Sequence, residues 1–142
     1  MTAACLPRRR VGVLLHPTAL PDAPVCGGLG AAARLWIRAL ARNGIGLWQV
    51  LPLSPPDGTG SPYSSPSSFA INPWLLDAHD LCEEGFLQPG DVASLPGAEV
   101  AGSSLDFLLA DRRVSVLARQ LRQCWHQLPH CHHAAFDSWR RD

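Results

Sequence analysis

Apolar positions along this chain change period several times, and each change predicts an element. Val11–Leu15 (VGVLL) is apolar without alternation, which predicts a short strand buried on both faces. It stops at His16-Pro17, and Pro17 and Pro21 open a loop that runs to Gly28. Leu29, Ala33, Trp36, Ile37 and Leu40 then recur at helical spacing and predict a helix over 29–42 with one apolar face. Arg34, Arg38 and Arg42 form a second stripe, read as a solvated face. Asn43-Gly44 supplies a helix stop, and Leu47–Leu51 reads as a second strand. Strand, helix and strand in succession make a βαβ unit, so the two strands should be parallel with a right-handed crossover.

Further along, Asp77 is placed to cap a short helix over 78–84, which Gly85 ends. The segment 89–104 has little periodicity and reads as a connection. Ala110, Val114, Leu117, Leu121, Trp125 and Leu128 restore the helical period and predict a long helix over 105–128, ended by Pro129. Of the tail to Asp142, a further helical turn is the most that the pattern suggests.

Between the second strand and Asp77 lies the least regular stretch, LPLSPPDGTGSPYSSPSSFAINPWLLD. Loops longer than about a dozen residues within a compact domain are usually functional. Prolines at 52, 55, 56, 62, 66 and 73 restrict this backbone and the residues before them. The loop is therefore expected to be rigid, holding Tyr63, Phe69 and Trp74 in place. Phe69 and Trp74 are read as packing inward and Tyr63 as the ring left outside.

Composition narrows the function classes. A chain of 142 residues supports one domain, read as 9–142 behind a disordered leader at 1–8. It is too short for a complete eight-stranded barrel of about 250 residues. Twelve basic and twelve acidic residues cancel, so there is no charge excess to attract nucleic acid or anionic lipid. Every basic residue is arginine. No apolar run approaches the roughly 20 residues of a membrane span. Arg8–Arg10 followed by Val11–Leu15 is too short for a signal peptide. Five scattered cysteines without a Cys-x-x-Cys fit free thiols in a reducing cytoplasm.

Two short motifs invite chemistry and do not sustain it. Gly27-Gly28-Leu29-Gly30 precedes a helix as a phosphate loop would, but it does not follow its strand directly and lacks G-x-G-x-x-G spacing. No acidic residue ends the second strand to hold a ribose. Cys124, His126, His130, Cys131, His132 and His133 are zinc-type ligands, yet Pro129 interrupts them and adjacent residues do not converge on one tetrahedral centre. They read as a solvated helix end, and no metal is assigned.

Taken together, RRVGVLLHPTALP, Gly28–Gly30, LWQVLPL and GSPYSSPSSFAINP resemble, in order and spacing, the N-terminal end of the amylomaltases, the 4-α-glucanotransferases of maltodextrin metabolism. The resemblance is strong over 9–87 and weak over 88–142. Ala19 stands where the family more often has Ser, Cys26–Gly30 lacks an acidic residue usual in that loop, and Ile71 replaces a common Gly. The resemblance implies an α/β fold, the N-terminal part of a (β/α)8 barrel with its first two parallel strands and a long loop on the active-site side. It implies an α-1,4-glucan as partner and no organic cofactor. It sets Ser61 and Tyr63 against the bound glucan, with His16 and Asn72 on the same rim. Oligomeric state is left open.

Retaining glucosyl transfer uses two carboxyl groups about 5–5.5 Å apart. Asp57 lies in a turn, Asp77 serves as a cap, and Asp80, Glu83 and Glu84 lie on the following helix. None matches the family's catalytic carboxylates, so this chain is expected to hold none and to be inactive alone. The other reading is a non-catalytic glucan-binding or protein-interaction module.

Overall fold

The computed structural model describes residues 10–21, 25–98 and 105–141. The leader expected at 1–8 lies outside them. Two parallel strands, β1 (Gly12–Leu14) and β2 (Leu47–Gln49), pair with Gly12 opposite Leu47, Val13 opposite Trp48 and Leu14 opposite Gln49. The pairing continues past both strands: Gly46 N–H donates to Val11 O and Leu15 N–H to Gln49 O, each at 3.1 Å. Helix α1 (Ala31–Arg42) joins the strands, and Gly44 after it takes the left-handed φ of +69° expected of a helix stop. The βαβ unit is as the periodicity predicts.

The strands are not buried on both faces, which corrects the expectation. Val11, Leu14, Leu47 and Val50 are exposed, while Val13, Leu15 and Trp48 are half-buried. Apolar runs of this type fit a sheet covered on both sides. Among the described residues, however, the sheet has only these two strands. Helix α1 is likewise only partly covered: Ala33 and Leu40 are buried, while Leu35 and Ile37 are exposed. Arg34, Arg38 and Arg42 are exposed as expected, and Arg34 makes a bidentate surface pair with Asp80, both contacts at 2.7 Å.

The main core lies further along the chain. Helix α2 (Ala78–Glu83) starts on the predicted cap, with Asp77 Oδ1 accepting from His79 N–H at 2.8 Å, and Gly85 ends it at φ +82°. Helix α4 (Phe107–Cys124) packs across this region. Ala78, Leu87, Val92, Leu95 and Leu117 form a buried cluster, bordered by Leu81, Cys82, Val116 and Leu121.

Val92 comes from α3 (Pro89–Ala93), a helix within the segment read as a connection. Five residues are too few to show a period. Its local signals are Pro89 in the first turn and Asp91, whose carboxylate accepts from Gln88 N–H at 2.9 Å. Helix α4 begins later than predicted because Asp106 caps it, accepting from Leu109 N–H at 2.9 Å. It ends earlier, in a 3-10 turn at Trp125–Gln127. The tail forms a full helix, α5 (His130–Trp139), instead of one turn. Aromatic contacts hold it: His133 and Phe136 meet Trp125 at 4.6 and 5.1 Å between ring centroids, and His132 meets Phe86 at 4.5 Å.

Candidate functional site

The loop from Leu51 to Asp77 contains no strand or α-helix, and its side chains supply much of its hydrogen bonding. Asp57 N–H donates to Ser64 O at 2.7 Å and Gly60 N–H to Asp57 O at 2.9 Å, closing a compact turn. The Asp57 carboxylate accepts from both the N–H and the hydroxyl of Thr59, which holds its pKa below the ordinary carboxylate range. Ser67 N–H donates to Ser65 Oγ at 3.2 Å, and Ser67 Oγ accepts from Phe69 and Ala70 N–H at 3.3 and 3.2 Å. These are the short side-chain-to-backbone bonds that Ser and Asp make in turns. At its base, Asn72 N–H donates to Leu53 O at 2.7 Å.

On this frame Tyr63 is 73% exposed. Ser61 Oγ, two residues earlier, accepts from Tyr63 N–H at 3.3 Å, so the two residues are locked into one turn. Phe69, expected to pack inward, is 99% exposed, a second correction. Its backbone N–H is held by Ser67 Oγ in a surface turn, and at that exposure the ring packs against no interior side chain. Trp74 is half-buried, stacked on Phe107 with centroids 5.5 Å apart and 19° between planes. Its indole N–H donates to Asp111 Oδ1 at 2.8 Å.

His16 follows β1 and bridges to the end of the second strand segment. Its Nε2 stands 3.3 Å from Pro52 O, and since a carbonyl only accepts, Nε2 carries the proton. Nδ1 is then the acceptor, receiving Thr18 N–H at 3.3 Å and the Thr18 hydroxyl at 2.8 Å. Partial burial lowers the His16 pKa, offset in part by the bond to Pro52, so the neutral ring is favoured. Asn72 is 2% exposed, and its Oδ1 accepts from Trp74 N–H at 3.0 Å, capping the 3-10 turn Pro73–Leu75. His16 and Asn72 thus have partners within the chain, whereas the Tyr63 ring stands open to solvent.

The structure brings His16 and Asn72 to one cleft, whereas Ser61 and Tyr63 are not among the residues that line it. That cleft, of about 130 Å³, is lined by His16, Ser54, Pro62, Asn72, Trp74 and Phe107, among others, and Ser61 and Tyr63 flank its lining residue Pro62 along the chain. The sequence reading missed Phe107 here, because the start of a helix on another part of the chain carries no sign of what it will meet. A larger cleft of about 230 Å³ shares Trp74 but is lined by Cys26, Asp77, His79 and Arg113. There burial pushes the Cys26 thiol up to about 11, with Arg113 opposing, so the thiol stays protonated.

The glycine segment offers no phosphate cradle. A Cβ on Gly30, the N-cap of α1, would lie 1.7 Å from Asp77 Oδ2. A carboxylate therefore already occupies the end of that helix, where it would repel an anion. Among the described residues no three His, Cys, Asp or Glu side chains gather as a metal site, and no helix is long and apolar enough to cross a membrane.

A family model described as 4-alpha-glucanotransferase matches residues 15–142. The chain belongs to the 4-alpha-glucanotransferase family. The family match extends through α5, well beyond the stretch 9–87 where the motifs are dense. A 4-alpha-glucanotransferase of Synechocystis sp. is 38% identical over 122 residues, covering 86% of this chain and 23% of that protein. One from Thermus thermophilus is 47% identical over 83 residues, covering 58% of this chain and 17% of the relative. The solved amylomaltase of Streptococcus agalactiae in complex with acarbose superposes with a TM-score of 0.77 at 27% identity, over 94% of this chain and 27% of that one. The chain therefore spans between 17% and 27% of the length of these relatives.

Proposed function

We propose that this chain is the N-terminal part of a (β/α)8-barrel 4-α-glucanotransferase and supplies one wall of its α-1,4-glucan site. The supporting observation is a self-bonded turn that leaves the Tyr63 ring outward next to Gly60 and Pro62, which line the cleft at the strand ends. In barrels of this kind the site forms at the C-terminal ends of the strands, where His16 and the loop both lie. A pyranose presents an apolar ring face and a rim of hydroxyls. Tyr63 offers a ring for the first and, with Ser61, hydroxyls for the second. His16 and Asn72 border the same cleft, with His16 clamping the two strand ends and Asn72 pinning the return of the loop.

In the complete reaction one carboxylate attacks the anomeric carbon while a carboxylic acid protonates the departing 4-oxygen. The 4-hydroxyl of a second glucan then displaces the ester, giving its proton to the carboxylate that acted as acid. We assign both carboxyl groups to parts of the enzyme outside residues 1–142, and assign no cofactor or metal. The free thiols of Cys26, Cys82, Cys124 and Cys131 suit a reducing, cytoplasmic setting.

Titration with maltoheptaose tests the site. Tyr63→Ala should weaken binding by about 1–3 kcal/mol, the size of a stacking contact or a hydrogen bond to a hydroxyl. Trp74→Ala should have the smaller direct effect. Unchanged affinity in a folded Tyr63→Ala protein would overturn the assignment. A second reading, a binding module without catalysis, is favoured by the self-contained core around Leu87 and Leu117. Glucose release from maltotriose by the purified chain would count against both readings, because it requires a carboxylate pair within it.

A further inference from the structure

One helix outside the motif-bearing region reaches into the Ser61–Tyr63 turn. Gly60 has a φ of +74°, and a Cβ built there would fall 2.2 Å from Cζ of Phe107 and 2.5 Å from its Cε2. The far edge of the Phe107 ring therefore rests where only a glycine fits. The face of the same ring stacks on Trp74. Trp74 is fixed at two points, its backbone N–H on Asn72 Oδ1 at 3.0 Å and its indole N–H on Asp111 Oδ1 at 2.8 Å. Asp111 lies four residues beyond Phe107 on α4, and Asp106 caps that helix directly before Phe107. The ring is thus held by a rigid element and touches the turn one residue before Ser61.

We propose that Phe107 is a positioning residue for the glucan-binding turn: wedged between Gly60 and Trp74, its ring sets where Ser61 and Tyr63 stand. The glucan part rests on the function proposed above, whereas the placement of the turn does not. A flat aromatic side chain is needed because one ring must present an edge to Gly60 and a face to Trp74. Leucine fills part of the volume but ends short of the Cε and Cζ atoms that meet Gly60. Tyrosine keeps the face but drives an oxygen from Cζ into the turn.

The experiment compares hydrogen exchange of segment 57–65 with that of segment 78–98 in the purified chain, together with maltoheptaose titration. In Phe107→Ala, exchange over 57–65 should accelerate while 78–98 keeps its protection, because the wedge is lost and the core is not. Maltoheptaose affinity should fall about tenfold or more, as expected for displaced contact groups. Phe107→Tyr, which preserves the stacking, should perturb the same segment.

Gly60→Ala presses on the ring from the loop side, and its loss of affinity should be partly restored in the Gly60→Ala/Phe107→Leu pair. That coupling separates a specific wedge from general destabilisation. Wild-type exchange over 57–65 in Phe107→Ala, equal acceleration of both segments, or additive effects in the pair would each overturn the proposal. If the wild-type chain binds no maltoheptaose, the glucan reading fails, and the exchange data still decide whether Phe107 holds the turn.

Discussion

The strand-and-loop region and the helical region solve different problems. From Ala78 onward, α2, α3 and α4 enclose Leu87, Val92, Leu95 and Leu117, and apolar side chains meet apolar side chains. Before Ala78, Leu14 and Leu47 stand exposed on a two-stranded sheet, and the loop shows Tyr63, Phe69 and Ile71 to solvent. The family motifs lie in the second of these regions. The later helices hold a contiguous core, whereas the earlier stretch buries Leu20, Val25, Ala33, Leu40 and Leu75 yet leaves the apolar side chains of its strands and loop open, which the proposed function uses as a recognition surface.

That contrast is easiest to break in the core. Leu87→Ala should cost about 2–5 kcal/mol, whereas Leu14→Ala should stay within about 0.5 kcal/mol. Urea unfolding midpoints measure both, and equal losses would mean that the sheet is as well packed as the helices. Next comes the junction between the regions. Gly30→Ala places a methyl on the Asp77 carboxylate and should destabilise by about 1–3 kcal/mol. Asp77→Ala removes the cap of α2 and the carboxylate at the start of α1, and should cost about 1 kcal/mol. If Gly30→Ala is silent in thermal melting, the two regions are not in firm contact there.

Smaller effects follow from titration. The pKa of His16 is lowered in the folded chain, so its contribution is complete above the ordinary histidine pKa and declines as pH falls below it. Acidification from pH 7.5 to 5.5 should loosen the strand ends, read as lower protection at Leu15 and Gln49 relative to the intrinsic exchange rate at each pH. A His16→Gln protein should lack that response, and persistence of it would place the titrating group elsewhere.

The smallest effect belongs to Arg34–Asp80 on the surface. The guanidinium beside Asp80 lowers its carboxyl pKa, so its contribution is present above the ordinary aspartate range and lost as pH falls through the folded value. Added salt should screen it, and Asp80→Asn should differ little from wild type in thermal melting at high ionic strength.

The elements that were legible in sequence are those whose signals are local. Apolar runs at Val11–Leu15 and Leu47–Leu51 marked both strands, Asp77 and Gly85 marked α2, and Asn43-Gly44 marked the end of α1. Helix α3 is too short for periodicity, and Asp106 is an N-cap signal that a start at Leu105 overlooked. Burial was misjudged for the strands because an apolar run states what a strand is suited to and not what surrounds it. At the site, Ser61 and Tyr63 were named through the resemblance, and of that reading the structure bears on the outward Tyr63 ring alone. Phe107 was not named, since a contact across more than forty positions leaves no trace in spacing. The inner partners of His16 and Asn72 required the fold.

The loop from Leu53 to Asn72 has its two ends joined by a single 2.7 Å bond, and its turns close on their own side chains. Closure entropy grows only slowly with loop length, by about 0.6 kcal/mol per doubling. A segment pinned at its base can therefore gain, lose or exchange residues beyond the turns while the strands beneath keep their register. Only the stretch beyond the turns is free to vary in this way, because the turn at Gly60 is tied to α4 through Phe107.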